Sequence, residues 1–211
     1  ITLVDKMLAK AKDLGQTAMA ITDHGVMYGA IDFYTTAKYK DIKPLIGFEA
    51  YVAPGDRKEK GGYNHITLLA RNLDGYKNLS RLCSEGFLTG FYHYPRIDKT
   101  IMREMAEGVC CLSGCLRGEI PQLLLAGKVD EAEAAARDYR EMFGENNFYL
   151  EVMDNGLPDQ KAILAPMREI SKRTGIPLVA TSDAHYLEPQ DVAIQDIMIC
   201  INTGKFLSDE K

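Results

Sequence analysis

The stretch Leu178-Val179-Ala180-Thr181-Ser182-Asp183-Ala184-His185 is a short apolar run ending in an acid and an imidazole two residues apart. At the exit of a buried strand, that spacing aims a carboxylate oxygen and a ring nitrogen at one metal ion. A second run, Ala18 to Ile21, leads into Asp23 and His24. Glu49, His65 and Cys115 stand in or beside other apolar runs. Strand-end ligands this numerous select a barrel over an open doubly wound sheet, because in a barrel most strand C-terminal ends converge on one pocket.

Working outward, Leu3, Val4, Met7, Leu8, Ala11 and Leu14 fall at helical spacing before Gly15, so residues 3–14 read as an amphipathic helix. Helices are also expected at 30–40, 74–88, 98–107, 119–126, 129–143 and 158–174, the last interrupted or kinked at Pro166. Strands are expected at 18–21, 43–52, 65–70, 109–112, 148–152 and 178–181, with a Gly-rich charged loop at 54–62. Strands separated mostly by helices predict parallel pairing through crossover connections.

The chain has 211 residues, enough for one sizeable core, and its 25 basic against 30 acidic side chains give a formal charge of -5. That balance opposes the basic footprint of a domain built to grip phosphate backbones, so any nucleic-acid contact is local, metal-assisted or made elsewhere. No apolar stretch approaches the roughly 20 residues that cross a bilayer, and no signal peptide is visible, so a cytoplasmic location without membrane contact is expected. Five cysteines, odd in number and without the dense spacing of a disulfide framework, read as reduced thiols, most of them in the core.

His, Asp, Glu and Cys together suit Zn(II), Mn(II) or Fe(II). Glu49 lies among apolar neighbours in Ile46-Gly47-Phe48-Glu49-Ala50-Tyr51 and needs a cation there, either a metal or a basic side chain. His65 alone fits a satisfied core histidine, and Cys115 alone a buried structural thiol. Three of the four histidines lie in such settings, and their concentration raises the joint reading. His93 sits in an aromatic loop. Arg96 can meet a phosphate or form a surface ion pair. No P-loop or dinucleotide fingerprint occurs.

Taken in order, Ile21-Thr22-Asp23-His24-Gly25, Pro44-Leu45-Ile46-Gly47-Phe48-Glu49-Ala50-Tyr51, His65-Ile66-Thr67-Leu68-Leu69-Ala70, Leu112-Ser113-Gly114-Cys115 and Thr181-Ser182-Asp183-Ala184-His185-Tyr186 resemble the successive motifs of the polymerase and histidinol phosphatase (PHP) superfamily. The nearer resemblance is to the N-terminal PHP domain of bacterial DNA polymerase III alpha subunits, which residues 90–98 and 196–205 also resemble. The resemblance covers essentially all of 1–211. It implies a distorted (β/α)7 barrel with up to three divalent metal ions. His24, Glu49, His65, Cys115, Asp183 and His185 are the implied ligands, Glu49 as a bridge. Asp23 is expected behind them, and Glu151 is a weaker candidate for the same pocket. Glu49, Asp183 and His185 are the implied catalytic residues.

Members of that family open with a strand bearing His-x-His, whereas this chain begins at Ile1 in the segment that follows. The first strand is therefore expected to be missing, and the ion shared between it and Asp183 to bind poorly. From about residue 196 the chain is expected to lead toward a polymerase palm. The resemblance implies a metal-dependent phosphoesterase module, a 3'-5' exonuclease in intact relatives, within a replicative DNA-directed DNA polymerase. Its implied partners are the rest of the alpha subunit, a DNA primer end and a separate proofreading exonuclease. The rival readings are a non-catalytic scaffold whose metal supports folding, and a free-standing phosphatase of the histidinol phosphatase kind.

Overall fold

The computed structural model describes residues 2–209; Ile1, Glu210 and Lys211, part of the expected 1–211 domain, lie outside the described residues. Helix α1 (Val4–Asp13) buries Leu8 and Ala11 and half-buries Val4, four- and three-residue spacings that put one face against α2 (Ala30–Tyr39). Phe33, Ala37 and Ile42 complete this small cluster beside β1 (Ala18–His24). The main core continues along the same face of the sheet, opposite the one that carries Glu49, where Phe48, Ile66, Leu68, Phe148 and Leu150 meet the helices. Its strands are β2 (Lys43–Val52), β3 (Asn64–Ala70), β6 (Val109–Leu112), β7 (Phe148–Val152) and β8 (Leu178–Ala180).

The covering helices are α3 (Leu73–Leu88), α4 (Lys99–Glu104), α5 (Glu119–Leu125), α6 (Val129–Phe143) and α7 (Pro158–Thr174). In α6, Ala132, Ala135, Ala136, Tyr139 and Phe143 form the buried stripe. Of the interruption or kink expected at Pro166, the interruption does not occur: α7 runs through it to a left-handed Gly175. The loop assigned to residues 90–96 is instead a tight hairpin of β4 (Phe91–Tyr92) and β5 (Tyr94–Ile97), turning at His93 with φ 62°. A further helix, α8 (Val192–Thr203), follows a short 3-10 turn and buries none of its residues.

Pairing is not uniformly parallel, as the helix-rich order had suggested. β1 and β2 are parallel, as are β6, β7 and β8, but β3 is antiparallel to both of its neighbours, β2 and β6. The cause is the connection: residues 53–63 join β2 to β3 without a helix, so the chain turns back instead of crossing over. One edge of β2 is covered first by β1 and then, at Tyr51 and Val52, by β5. The sheet curls into a partial barrel, and the exits of β1, which joins beside β2, and of β8, at one end of the strand order, come together through His24 and His185.

The reversal of β3 has a direct consequence for the site. β1, β2, β6, β7 and β8 all end at one mouth, and β3 begins there. A residue that opens β3 therefore faces the same place as residues that close the others.

Candidate metal centre

Register builds the site. His24, the last residue of β1, lies opposite Glu49 of β2, and His65 of β3 lies opposite Tyr51. Side chains alternate along a strand, so Glu49 and Tyr51 share one face, and with them His24 and His65. Glu49 then stands between two imidazoles. Its Oε2 is 3.0 Å from His24 Nδ1, and its Oε1 contacts His65 Nδ1. One donor atom from each of the three residues lies within 4.8 Å of the others.

Cys115 joins from the turn after β6, its Sγ 3.7 Å from Glu49 Oε1 and 3.6 Å from His65 Nδ1. That turn needs Gly114, which has φ 85° and whose added Cβ would fall 2.7 Å from the His65 carbonyl oxygen. The His65 amide donates to the Arg117 carbonyl at 3.0 Å, pinning the turn to the start of β3. From beyond β8, His185 Nε2 reaches 3.3 Å from His24 Nε2. Asp183 lies at this exit with φ 50°, beside the His185 ring, and its carboxylate is outside the convergent trio.

Electrostatics follow from this packing. Burial pushes the Glu49 carboxyl up, but hydrogen bonds from His24 and His65, with their charge, hold it at about 2. The Glu49 hydrogen bond raises His24 in turn. Burial, helped by the nearby carboxylates Glu49, Asp183 and Glu151, pushes the Cys115 thiol up to about 12. A thiolate is thus disfavoured here unless a cation sits beside it. Among the described residues, one buried polar side-chain atom has no hydrogen-bond partner, His65 Nε2. Imidazole, carboxylate and thiol converging on one mouth, with the second His65 nitrogen left without a partner, form a donor set that fits Zn(II), Mn(II) or Fe(II).

The remaining expected residues divide. Glu151 on β7 is buried behind Cys115: Oε1 accepts from Thr181 Oγ1 at 2.7 Å, and Oε2 from the Gly114 amide at 3.0 Å and Thr67 Oγ1 at 3.4 Å. Burial raises its carboxyl, and the charges of Asp183 and Glu49 push the same way. Asp23 accepts from the Gly29 amide at 3.2 Å, at the entry to α2. Arg96 is neither a phosphate contact nor a surface ion pair. It is 1% exposed, and backbone carbonyls take its guanidinium, because the hairpin turns it inward beneath the 57–62 loop.

Tyr51, Tyr63, Tyr94 and Arg117 border the centre without having been singled out from sequence. A signal existed for two of them: Tyr51 follows Glu49 by two and Tyr63 precedes His65 by two, spacings that share a strand face.

Among the described residues, no helix is long and apolar enough to cross a membrane. The PHP domain family profile matches residues 2–155. The chain is 44% identical over 212 residues to the DNA polymerase III subunit alpha of Treponema pallidum, covering 98% of this chain and 18% of that protein. The Thermus aquaticus subunit is 42% identical over 199 residues, with 91% and 16% covered. The chain thus spans less than a fifth of the length of these relatives.

Among solved structures, a candidate metal-dependent phosphoesterase of Bifidobacterium adolescentis aligns with a TM-score of 0.57 at 12% identity, covering 90% of this chain and 85% of that one. An amidohydrolase of Chromobacterium violaceum gives 0.55 at 14%, covering 89% and 83%. At such identities these two share the fold alone. The profile match spans His24, Glu49, His65 and Cys115, and on that match the chain belongs to the PHP domain family.

Proposed function

We propose that this chain is a metal-dependent phosphoesterase module of a DNA polymerase III alpha subunit, acting in the whole protein as a 3'-5' exonuclease on a DNA primer end. The observation that carries this reading is the convergence of His24, Glu49 and His65 at one mouth, with Cys115 against two of them. Those four residues would hold the ion, Glu49 as a bridge if a second is bound, and Asp183 and His185 would extend the set from the β8 exit. When bound, the ion supplies Lewis acidity, polarising phosphoryl oxygens and lowering the pKa of water.

The chain's own residues do the positioning. The paired imidazoles keep Glu49 anionic and aligned, and its 7% exposure keeps the local dielectric low, so each charge counts for more. Glu151 fixes the Cys115 turn to β7 and to the β8 exit through Gly114 and Thr181. The partners of this reading are the rest of the alpha subunit, the primer end and a separate proofreading exonuclease.

A second reading, a non-catalytic scaffold that docks that exonuclease, draws on a different aspect of the same geometry. The cluster joins β1, β2, β3, the β6 turn and the β8 exit, so metal bound there acts directly as folding energy. Elemental analysis of the purified chain, together with mononucleotide release from a labelled single-stranded oligonucleotide in Mn(II) or Zn(II), separates the two. Bound metal and hydrolysis, both lost in Glu49→Ala, are the expected result. Metal-replete but inert protein leaves the scaffold, and a chain that takes up no metal overturns both.

A further inference from the structure

From His65 a wall of tyrosines leads away from the carboxylates. Tyr63 stacks on the His65 ring at 5.7 Å with planes 7° apart. Tyr94, from the hairpin, lies 4.8 Å from Tyr63 and 4.9 Å from Tyr51, and Tyr51 meets the His65 ring edge-on at 5.4 Å. The exposed Arg117 guanidinium sits 5.4 Å over the Tyr63 ring. Lys60 lies 5.9 Å over Tyr92, next along the same rim. The wall is rooted in the buried Tyr51 and opens at Tyr94, which is 39% exposed.

An aromatic wall that is fixed at its base, open at its tip and topped by a guanidinium suits a planar, π-faced ligand carrying phosphate. A nucleobase has that shape, and every base offers a stacking face whatever its sequence. The chain's formal charge of -5 supplies little general attraction for a phosphate backbone, which leaves stacking to provide the hold.

We infer that Tyr94, backed by Tyr63 and flanked by Arg117, forms a sequence-independent base-stacking subsite for the unpaired nucleotide beside the phosphate that the metal centre addresses. The placement next to that phosphate rests on the phosphoesterase reading; the affinity for a base does not. Tyr51 braces the subsite from behind.

The test compares a single-stranded oligothymidylate with phosphorothioate linkages and an abasic oligomer of equal length and linkage, by fluorescence anisotropy with the 211-residue chain. The base-bearing strand is expected to bind at least about five-fold more tightly. Tyr94→Ala should erase that ratio and Tyr94→Phe keep it, since the ring and not the hydroxyl does the stacking. Equal binding of the two oligomers by the unsubstituted chain overturns the subsite, as does a ratio unchanged in Tyr94→Ala. Hydrolysis of an unmodified abasic oligomer reports on the phosphoesterase reading separately. Cleavage without base preference removes the subsite and leaves the reading; base preference with no cleavage of any strand keeps the subsite and removes the reading.

Discussion

Arg96 directs its whole guanidinium at main-chain carbonyls: Nε to Gly90, Nη1 to Gly61 and Gly62, Nη2 to Arg57 and Glu59. Five N–H donors in a rigid fork match five acceptors, a geometry that an ammonium cannot reproduce. Arg96→Lys should destabilise the chain by about 3 kcal/mol or more in urea unfolding, since buried carbonyls lose their partners. Hydrogen exchange should also accelerate in the 57–62 loop. Asp98 is the second such residue: it caps α4 through the Ile101 amide at 3.0 Å and receives the Arg57 amide and Nη1 at 3.1 and 3.0 Å. Burial pushes its carboxyl up, but these hydrogen bonds and the Arg57 charge more than compensate and hold it below its usual value.

A depressed folded-state pKa gives stability that is present above the unfolded carboxylate value, about 3.9, and lost as pH falls through the folded value. Asp98→Asn keeps a capping side chain but removes the charge. The variant should therefore be less stable than the parent near neutral pH, with the gap closing below about pH 4 in thermal unfolding followed across pH.

At the scale of elements, local signals located most of the pieces. The bounds expected for β2, β6, α6, β7 and α7 coincide with those observed, because each is bracketed by Gly, Pro or a charged turn. The hairpin and α8 were missed for opposite reasons. Residues 91–97 are too few for a period to show, and α8 is apolar on faces that nothing among the described residues covers. Packing between elements also depends on glycines whose necessity is tertiary. A Cβ on Gly75 of α3 would lie 1.9 Å from the Gly108 carbonyl oxygen, so α3 rests directly on the chain entering β6. Gly75→Ala should cost about 2–3 kcal/mol or more despite the better helix propensity of Ala, measured as a shift in the denaturant midpoint without a change in slope.

The whole molecule closes through few contacts. His24 meets His185 across 161 positions of sequence, and Lys10 Nζ of α1 meets Glu188 Oε1 at 2.7 Å across 178. An ion held between side chains this far apart in sequence would couple its binding to global stability. With Zn(II) or Mn(II) at a hundred times the dissociation constant, stabilisation of about 2.7 kcal/mol is expected, visible as a metal-dependent rise in Tm. Glu49→Ala should abolish that rise; a Tm indifferent to metal in the parent chain would show that the centre does not take up the ion.

The sequence by itself determined most of the helices and strands, the hairpin and α8 apart, and which side chains carry ligand chemistry, because periodicity, caps and turn residues act between near neighbours. It marked His24, Glu49, His65 and Cys115 as residues of one kind. Only the tertiary structure decided that they meet. The helix-free 53–63 connection reverses β3, which brings His65, at the start of its strand, to the mouth where the other strands end. Tertiary packing likewise turned Arg96 from a surface cation into a buried clamp and left the Asp183 carboxylate outside the convergent trio. Strand direction, the burial of Arg96 and the meeting of the four side chains are settled by contacts between residues distant in sequence, which a local pattern can suggest but does not fix.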